Sequence, residues 1–382
     1  MKKLLSIALV LMLVLSLAAC GGNQKKEEAP AEEPAEEAVE EPAEEAEEPA
    51  EEATEEEAEE PAEEATEEPA EEPAEEHAAG GKKLGFGHAF ETKVKEATED
   101  EDGQFEGDAY VVALLIGEDG KALDCFIDVA QCKLDVTAEG EVVDVEKAFK
   151  TKRELGDEYG MAKASGLENG EWYQQADALE AWVIGKTKDE VAGMGIDESG
   201  KSTDADLLAG CTVGHMPVFV EAITNAFDNT MDAGDATKVG VGVMTSAKNS
   251  KSETEEEEGQ VQFYSYFGTT ATNDAGVITA CDIDAVQLTA KIADKAIVAP
   301  TEIKTKNELK EEYGMQKASS LAEGEWYQQA AFFANYMVGK DKAGLAGIEL
   351  DDSDKATDPD LLAGCTIGHL SDIITAVVAG MQ

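Results

Sequence analysis

Two stretches of this chain carry residue types from which a reactive site could be built. Asp206-Leu-Leu-Ala-Gly210-Cys211-Thr212 recurs as Asp360-Leu-Leu-Ala-Gly364-Cys365-Thr366, and each is followed three residues on by a histidine, His215 or His369. Each threonine hydroxyl stands on a run of small residues that leads toward a helix. Pro217 suits a first helical turn and Ser371 suits an N-cap. Free N–H groups and the helix dipole at such a spot favour a phosphate, and Gly210 and Gly364 permit close backbone approach. Cys-x₃-His invites a metal reading, but two ligands per stretch are too few for a structural zinc site. The histidines are expected near the helix start, either touching a bound phosphate or satisfying the loop. No Ser-His-Asp arrangement, phosphate-binding Walker loop or paired-carboxylate site stands out, so no catalytic residue is assigned.

The elements that must position these stretches are written twice. Residues 151–215 recur at 305–369 without a gap, and 38 of the 65 positions are identical. Upstream, Gly85-Phe86-Gly87 matches Gly240-Val241-Gly242. Cys125-x-Ile127-Asp128-x-x-Gln131 matches Cys281-x-Ile283-Asp284-x-x-Gln287. In the first half of each repeat, β-branched runs flank a turn. Tyr110–Ile116 and Ala122–Val129 enclose Gly117–Gly120, and Val261–Phe267 and Val277–Ile283 enclose its counterpart. In the second half, Trp172, Ala176, Leu179, Trp182 and Val183 form one helical stripe, repeated as Trp326, Ala330, Phe333, Tyr336 and Met337. Trp172-Tyr173-Gln174-Gln175 reads as core packing beside a solvated face, with a cofactor-facing aromatic as the alternative. A last helix is expected over Met216–Phe227, with a counterpart from Ser371. Strands first and helices after predict an α+β fold: two tandem domains at 82–233 and 234–382, each an antiparallel sheet with C-terminal helices.

The Asp-Leu-Leu-Ala-Gly-Cys-Thr stretch resembles the C-terminal motif of the FMN-binding domain family, Asp-x-x-Ser-Gly-Ala-Thr. The turn at Asp119-Gly120-Lys121, the phrase Val183-Ile-Gly-Lys and the segment Val220 to Ile223 are similar as well. In that family the motif threonine carries FMN through a phosphoester bond installed by a flavin transferase. The resemblance implies covalent FMN on Thr212 and Thr366, two per chain. Asp206 and Asp360 would shape the site or be read by the transferase, with Gly210, Gly364, Cys211, Cys365, His215 and His369 around it. The sequence departs from the motif: Ala209 and Ala363 replace the serine, Cys211 and Cys365 replace the alanine, and Gly214 and Gly368 stand where a hydroxyl residue is usual.

Ahead of the repeats stand two segments of another kind. Lys2 and Lys3 precede an apolar run from Leu4 to Leu17, then Leu17-Ala-Ala-Cys20. This is a charged start, a short hydrophobic region and a small-residue cleavage site, and its last four residues resemble the bacterial lipobox. A signal peptide over 1–20 with lipid on Cys20 predicts anchoring at the extracytoplasmic face of the cell membrane, after lipoprotein-processing enzymes have acted. Within the linker 21–81, residues 27–76 hold 27 glutamates and seven prolines among alanines. Such a segment forms no core and reaches on the order of 150 Å when extended. The net charge of −54 excludes nucleic acid as a natural partner. Five cysteines follow Cys20, so a Cys125–Cys211 and a Cys281–Cys365 disulfide are both conceivable and Cys132 is left over.

These readings converge on a surface lipoprotein that acts as an electron carrier more than as an enzyme with its own substrate. Its expected partners are a flavin transferase and a membrane dehydrogenase or quinone pool on the donor side. The alternative is a flavin-free surface binding or structural lipoprotein with a degenerate fold of the same kind.

Overall fold

The computed structural model describes residues 81–382 except 169, 320 and 323. Cys20, the signal segment and residues 21–80 of the linker lie outside the described residues. Three long strands open the first half: β1 (Lys83–Lys95), β2 (Gly103–Ile116) and β3 (Ala122–Val136). They pair antiparallel, and Gly120 takes φ 73° in the tight turn between β2 and β3. Helices follow: α1 (Lys152–Leu155), α2 (Ala162–Ser165), α3 (Trp172–Val183), α4 (Lys188–Ala192), α5 (Ala205–Leu208) and α6 (Met216–Asp228). A short β4 (Thr230–Asp232) then returns to pair with β1.

The second half repeats the plan with β5 (Lys238–Ser246), β6 (Gly259–Thr272) and β7 (Ile278–Ala293), plus a short β8 (Ala296–Val298) on β7. Its helices are α7 (Lys306–Leu309), α8 (Trp326–Met337), α9 (Lys342–Ala346), α10 (Pro359–Leu362) and α11 (Leu370–Gly380). The fold is mixed α+β with two four-stranded antiparallel sheets, ordered β3-β2-β1-β4 and β5-β6-β7-β8.

The alternation of side chains decides how the halves meet. Phe105, Val111, Ala113 and Leu115 of β2, with Cys132 and Leu134 of β3, share one cluster with Phe263, Phe267, Leu288 and Ile292 of the other sheet. Phe105 stacks on Phe263 with ring centroids 5.6 Å apart and planes 6° apart. The opposite face of the first sheet carries Tyr110, Val112, Leu114 and Ile127 under Trp172, Leu179, Phe219 and Ile223. The second sheet likewise sits under Trp326, Phe333, Ile373 and Val377. The order of layers is helices, sheet, sheet, helices. An arrangement of two independent cores is therefore not what forms: the 233/234 boundary falls between β4 and β5, yet the sheets on either side share one core. β2 and β6 are covered on both faces, which accounts for the unbroken apolar run from Tyr110 to Ile116.

The two Gly-x-Gly pairs let helices rest directly on strands. A Cβ at Gly87 would lie 1.9 Å from the Ala222 carbonyl oxygen of α6, and one at Gly242 would lie 2.2 Å from the Ala376 oxygen of α11.

A chain cut to residues 82–233 exposes the inner face of its sheet, and we expect it to dimerise or aggregate, as read by light scattering. The turn after α1 has φ 50° and ψ −125° at Gly156, and the turn after α7 has φ 47° and ψ −120° at Lys310. A side chain held in that region stores about 1–3 kcal/mol. Lys310→Gly should therefore stabilise the protein by about 1 kcal/mol after glycine's entropy cost, seen as a higher urea midpoint at unchanged slope.

Candidate functional site

Thr212 lies on the loop between α5 and α6, and Thr366 on the loop between α10 and α11; both are half-buried. Each is held by a glutamine with no exposed surface. Gln175 Oε1 accepts from the Thr212 backbone N–H at 2.8 Å and pairs with its Oγ at 3.2 Å. Gln329 Oε1 does the same for Thr366 at 2.7 and 3.1 Å. The amide orientation is fixed from the other side, because Gln175 Nε2 donates to the Gly170 carbonyl at 2.8 Å and Gln329 Nε2 to Gly324 at 2.8 Å. An amide oxygen can only accept. The threonine hydroxyl must therefore donate to it, keeping its own lone pairs unused by this contact.

The glutamines come from Gly-Glu-Trp-Tyr-Gln-Gln-Ala, and the structure gives each polar member of that phrase a task. The Glu171 carboxylate takes the Met161 and Ala162 N–H groups at 2.8 and 3.0 Å, and Glu325 takes those of Met315 and Gln316 at 2.9 and 3.0 Å. This ties the preceding loop to the start of α3 or α8. Gln174 and Gln328 close the capping boxes of those helices. Tyr173 and Tyr327 donate to Asp157 and Glu311. The second glutamine reaches inward to the threonine loop. Core packing beside a solvated face thus described Trp172 and Tyr173 but missed Gln175 and Gln329. The signal available was that two adjacent glutamines recur in both copies, where a merely solvated position has no reason to keep its residue type.

A second buried set was also missed. Lys152 lies 5.6 Å from the Trp172 ring centroid and 5.2 Å from that of Tyr159. Lys306 lies 4.8 Å from Trp326, 4.3 Å from Tyr313 and 4.6 Å from Tyr264, whose hydroxyl it also contacts. Burial pushes the Lys306 ammonium down to about 7, against a smaller opposing pull from Asp284. Lys152 is lowered by burial too, with Asp108 opposing. In this set Asp108 of the first half stands where the second half has Tyr264, and Asp108 Oδ1 is buried without a hydrogen-bond partner.

The other residues singled out from sequence have plainer surroundings. The first donors at the start of α6 and α11 are already used, which leaves little of either helix N-terminus for a phosphate. Met216 N–H bonds to the Gly200 carbonyl at 2.9 Å, and residue 217 is proline. In the second half Leu370 N–H goes to the Asp354 carbonyl, and Ser371 N–H and Oγ go to the Asp354 carboxylate, at 2.8 Å for Oγ. Ser371 is a first-turn residue, since the N-cap positions are His215 and His369, both left-handed at φ 63° and 61°. Gly210 and Gly364 serve helix packing: a Cβ there would lie 2.8 Å from Ala178 and 2.3 Å from the Phe332 ring. Asp206 and Asp360 are exposed in the first turns of α5 and α10, whose caps are the carboxylates of Asp204 and Asp358.

Cys211 and Cys365 are buried, and all five described cysteines are free thiols. Burial raises the Cys211 thiol and pushes Cys365 up to about 11, which suppresses the nucleophilic thiolate. His215 Nδ1 lies 3.0 Å from Glu91, which also accepts the Tyr110 hydroxyl at 2.7 Å. His369 Nδ1 lies 3.7 Å from Asp372. Among the described residues no group of three or more His, Cys, Asp or Glu side chains could hold a metal ion, and no helix is long and apolar enough to cross a membrane.

Comparison with family models, with curated proteins and with solved structures returns no match.

Two measurements test this geometry. Gln175→Ala and Gln329→Ala each strand a threonine loop, and each should cost about 1–3 kcal/mol of unfolding free energy. Between about pH 7 and 10.5 the unfolded chain holds the Lys306 proton and the folded chain does not. Its contribution to stability therefore rises with pH across that window. Lys306→Met should stabilise the protein most below pH 7, with the gain over wild type shrinking toward pH 10.

Proposed function

We propose that the chain is a lipid-anchored surface protein that carries FMN through phosphoester bonds on Thr212 and Thr366. In this reading cleavage before Cys20 removes residues 1–19, and Cys20, the first mature residue, is lipidated by lipoprotein-processing enzymes. Residues 21–81 are the acidic tether, and 82–233 and 234–382 are two domains of the FMN-binding type. The observation that carries it is the doubled threonine environment: one half-open hydroxyl per half, its backbone and side chain both fixed by a fully buried glutamine. A covalent phosphoester asks for an accessible hydroxyl with free lone pairs, and it does not require a pre-built cradle of helix N–H groups. The occupied donors at α6 and α11 thus disfavour a non-covalent phosphate site and are compatible with a bonded one.

Thr212 and Thr366 would hold the group, and bound FMN supplies reversible electron uptake and release. Gln175 and Gln329 orient the hydroxyl for a flavin transferase. His215 and His369 are exposed three residues on. The protein is then a carrier between a membrane dehydrogenase or quinone pool and an extracellular acceptor, without a substrate of its own.

A second reading is favoured by specific residues. Ala209, Ala363, Cys211 and Cys365 replace motif positions that a transferase would read, which suits a flavin-free surface binding or structural module. Intact mass of the mature protein, made together with its own flavin transferase, decides between them. Two FMN adducts are expected, falling to one in Thr212→Val and none when Thr366→Val is added. An unmodified, colourless chain under those conditions sinks the carrier reading in favour of the flavin-free one.

A further inference from the structure

The two halves are related by sequence repeat, so each is an internal control for the other, and among their differences one changes the seam between the sheets. In the first half β3 packs closely against β5. Phe126 of β3 belongs to the shared core there, and Arg153 at the start of α1 lies 4.7 Å from its ring centroid. The Arg153 side chain donates to the Ile127 carbonyl on the open edge of β3, to Asp177 at 2.8 Å and to Glu180. Its backbone N–H donates to Asp128 at 3.2 Å. This half therefore carries its own guanidinium at the seam between the sheets.

The corresponding contact in the second half, between β7 and β1, is open. Asp282 stands in place of Phe126, Asn307 in place of Arg153, and Ala331 and Ala334 in place of Asp177 and Glu180. Asn307 keeps the two shared bonds: its N–H donates to Asp284 at 3.0 Å and its Nδ2 to the Ile283 carbonyl at 3.0 Å. The rest of the arginine has no counterpart. A cleft of about 380 Å³ remains, walled by Leu84, Phe86 and Met231 and floored by Asp282, Asp284 and Asn307. Asn307 Oδ1 is buried without a partner. Among the described residues no donor bonds the Asp282 carboxylate, and Lys310 at the rim makes no ion pair with either aspartate. Apolar walls over unpaired acceptors match a cation on an apolar stem.

We infer that the cleft between β1 and β7 binds an organic cation of the guanidinium class, the place of Arg153 being filled here by a ligand. An arginine side chain of a peptide and a free guanidinium-bearing amine share that chemistry. The charged groups that face the cleft are His88 from β1, Asp282 and Asp284 from β7, and Glu308 and Lys310 from α7 and the turn after it. Burial holds Asp282 up near 6, and burial with the neighbouring Asp282 holds Asp284 up near 8, while burial lowers His88 against a smaller pull from Glu308. A bound cation ionises the two aspartates, so binding should strengthen from pH 6 to pH 8.

The test is calorimetric titration of the full-length protein with agmatine, a guanidinium on a butyl amine, and separately with an arginine-containing tripeptide amide. Saturable binding with a dissociation constant on the order of 0.1–1 mM is expected. It should weaken about tenfold in Asp282→Asn and vanish in Asp282→Phe/Asn307→Arg, which installs the first half's own pair. All variants keep the acidic tether, so weak binding of cations there is common to every titration. Tighter binding of the tripeptide points to a peptide source, and tighter binding of agmatine to a free amine. Equal titrations in wild type and Asp282→Asn overturn the inference, and the near-isosteric Asp282→Asn decides the matter even if the double variant does not fold.

Discussion

Everything in the described structure is arranged around the burial of one sheet face against another. Phe105 on Phe263, with the valines, leucines and alanines around them, removes both inner faces from water at once. Each such ring buries on the order of 150–250 Å², worth a few kcal/mol at about 25 cal/mol per Å². Because the inner faces are spent on each other, each sheet has only its outer face left for helices. All helices of a half must therefore lie on one side, and the threonine loops between those helices are carried to the two outer faces, with both sheets between them.

That constraint also explains how tightly the helices sit. A sheet covered on both faces leaves little room, and glycines on β1, β5 and β6 let α6 and α11 settle onto the strand backbone. With the helix backbones fixed at that distance, the loops that enter them are fixed too. Gln175 and Gln329 then bridge from α3 and α8 to those loops, satisfying polar groups that would otherwise be buried unpaired. The threonine is positioned by a chain of causes that begins at the sheet interface and ends at one amide oxygen.

Much of this was legible in the residues. The helical stripe from Trp172 to Val183 and the start of the last helix at Met216 are where periodicity and Pro217 put them. The strands exist but run longer than expected, β3 to Val136 instead of Val129, because its far end alternates polar and apolar residues against the other sheet. The sharing of one core was not legible. The repeat showed that two units exist, and nothing in a repeat says whether their apolar faces point at each other. The glycine two residues before the motif threonine was misread for a related reason: sequence shows that a side chain is absent, and only packing shows that Ala178 or Phe332 takes its place. Gln175 and Lys152 were missed because buried polar residues look, one at a time, like surface ones.

The face-to-face pairing of two like sheets has the form of a homodimer interface. Here both partners belong to one chain, joined through the short segment between β4 and β5. In a true homodimer every substitution appears on both sides of the axis, so a change at the seam must be tolerated twice over. A single chain that carries both copies is free of that restriction. One side could keep Phe126 and Arg153 as a closed joint while the other drifted to Asp282 and Asn307, so a symmetric assembly acquired two unlike edges.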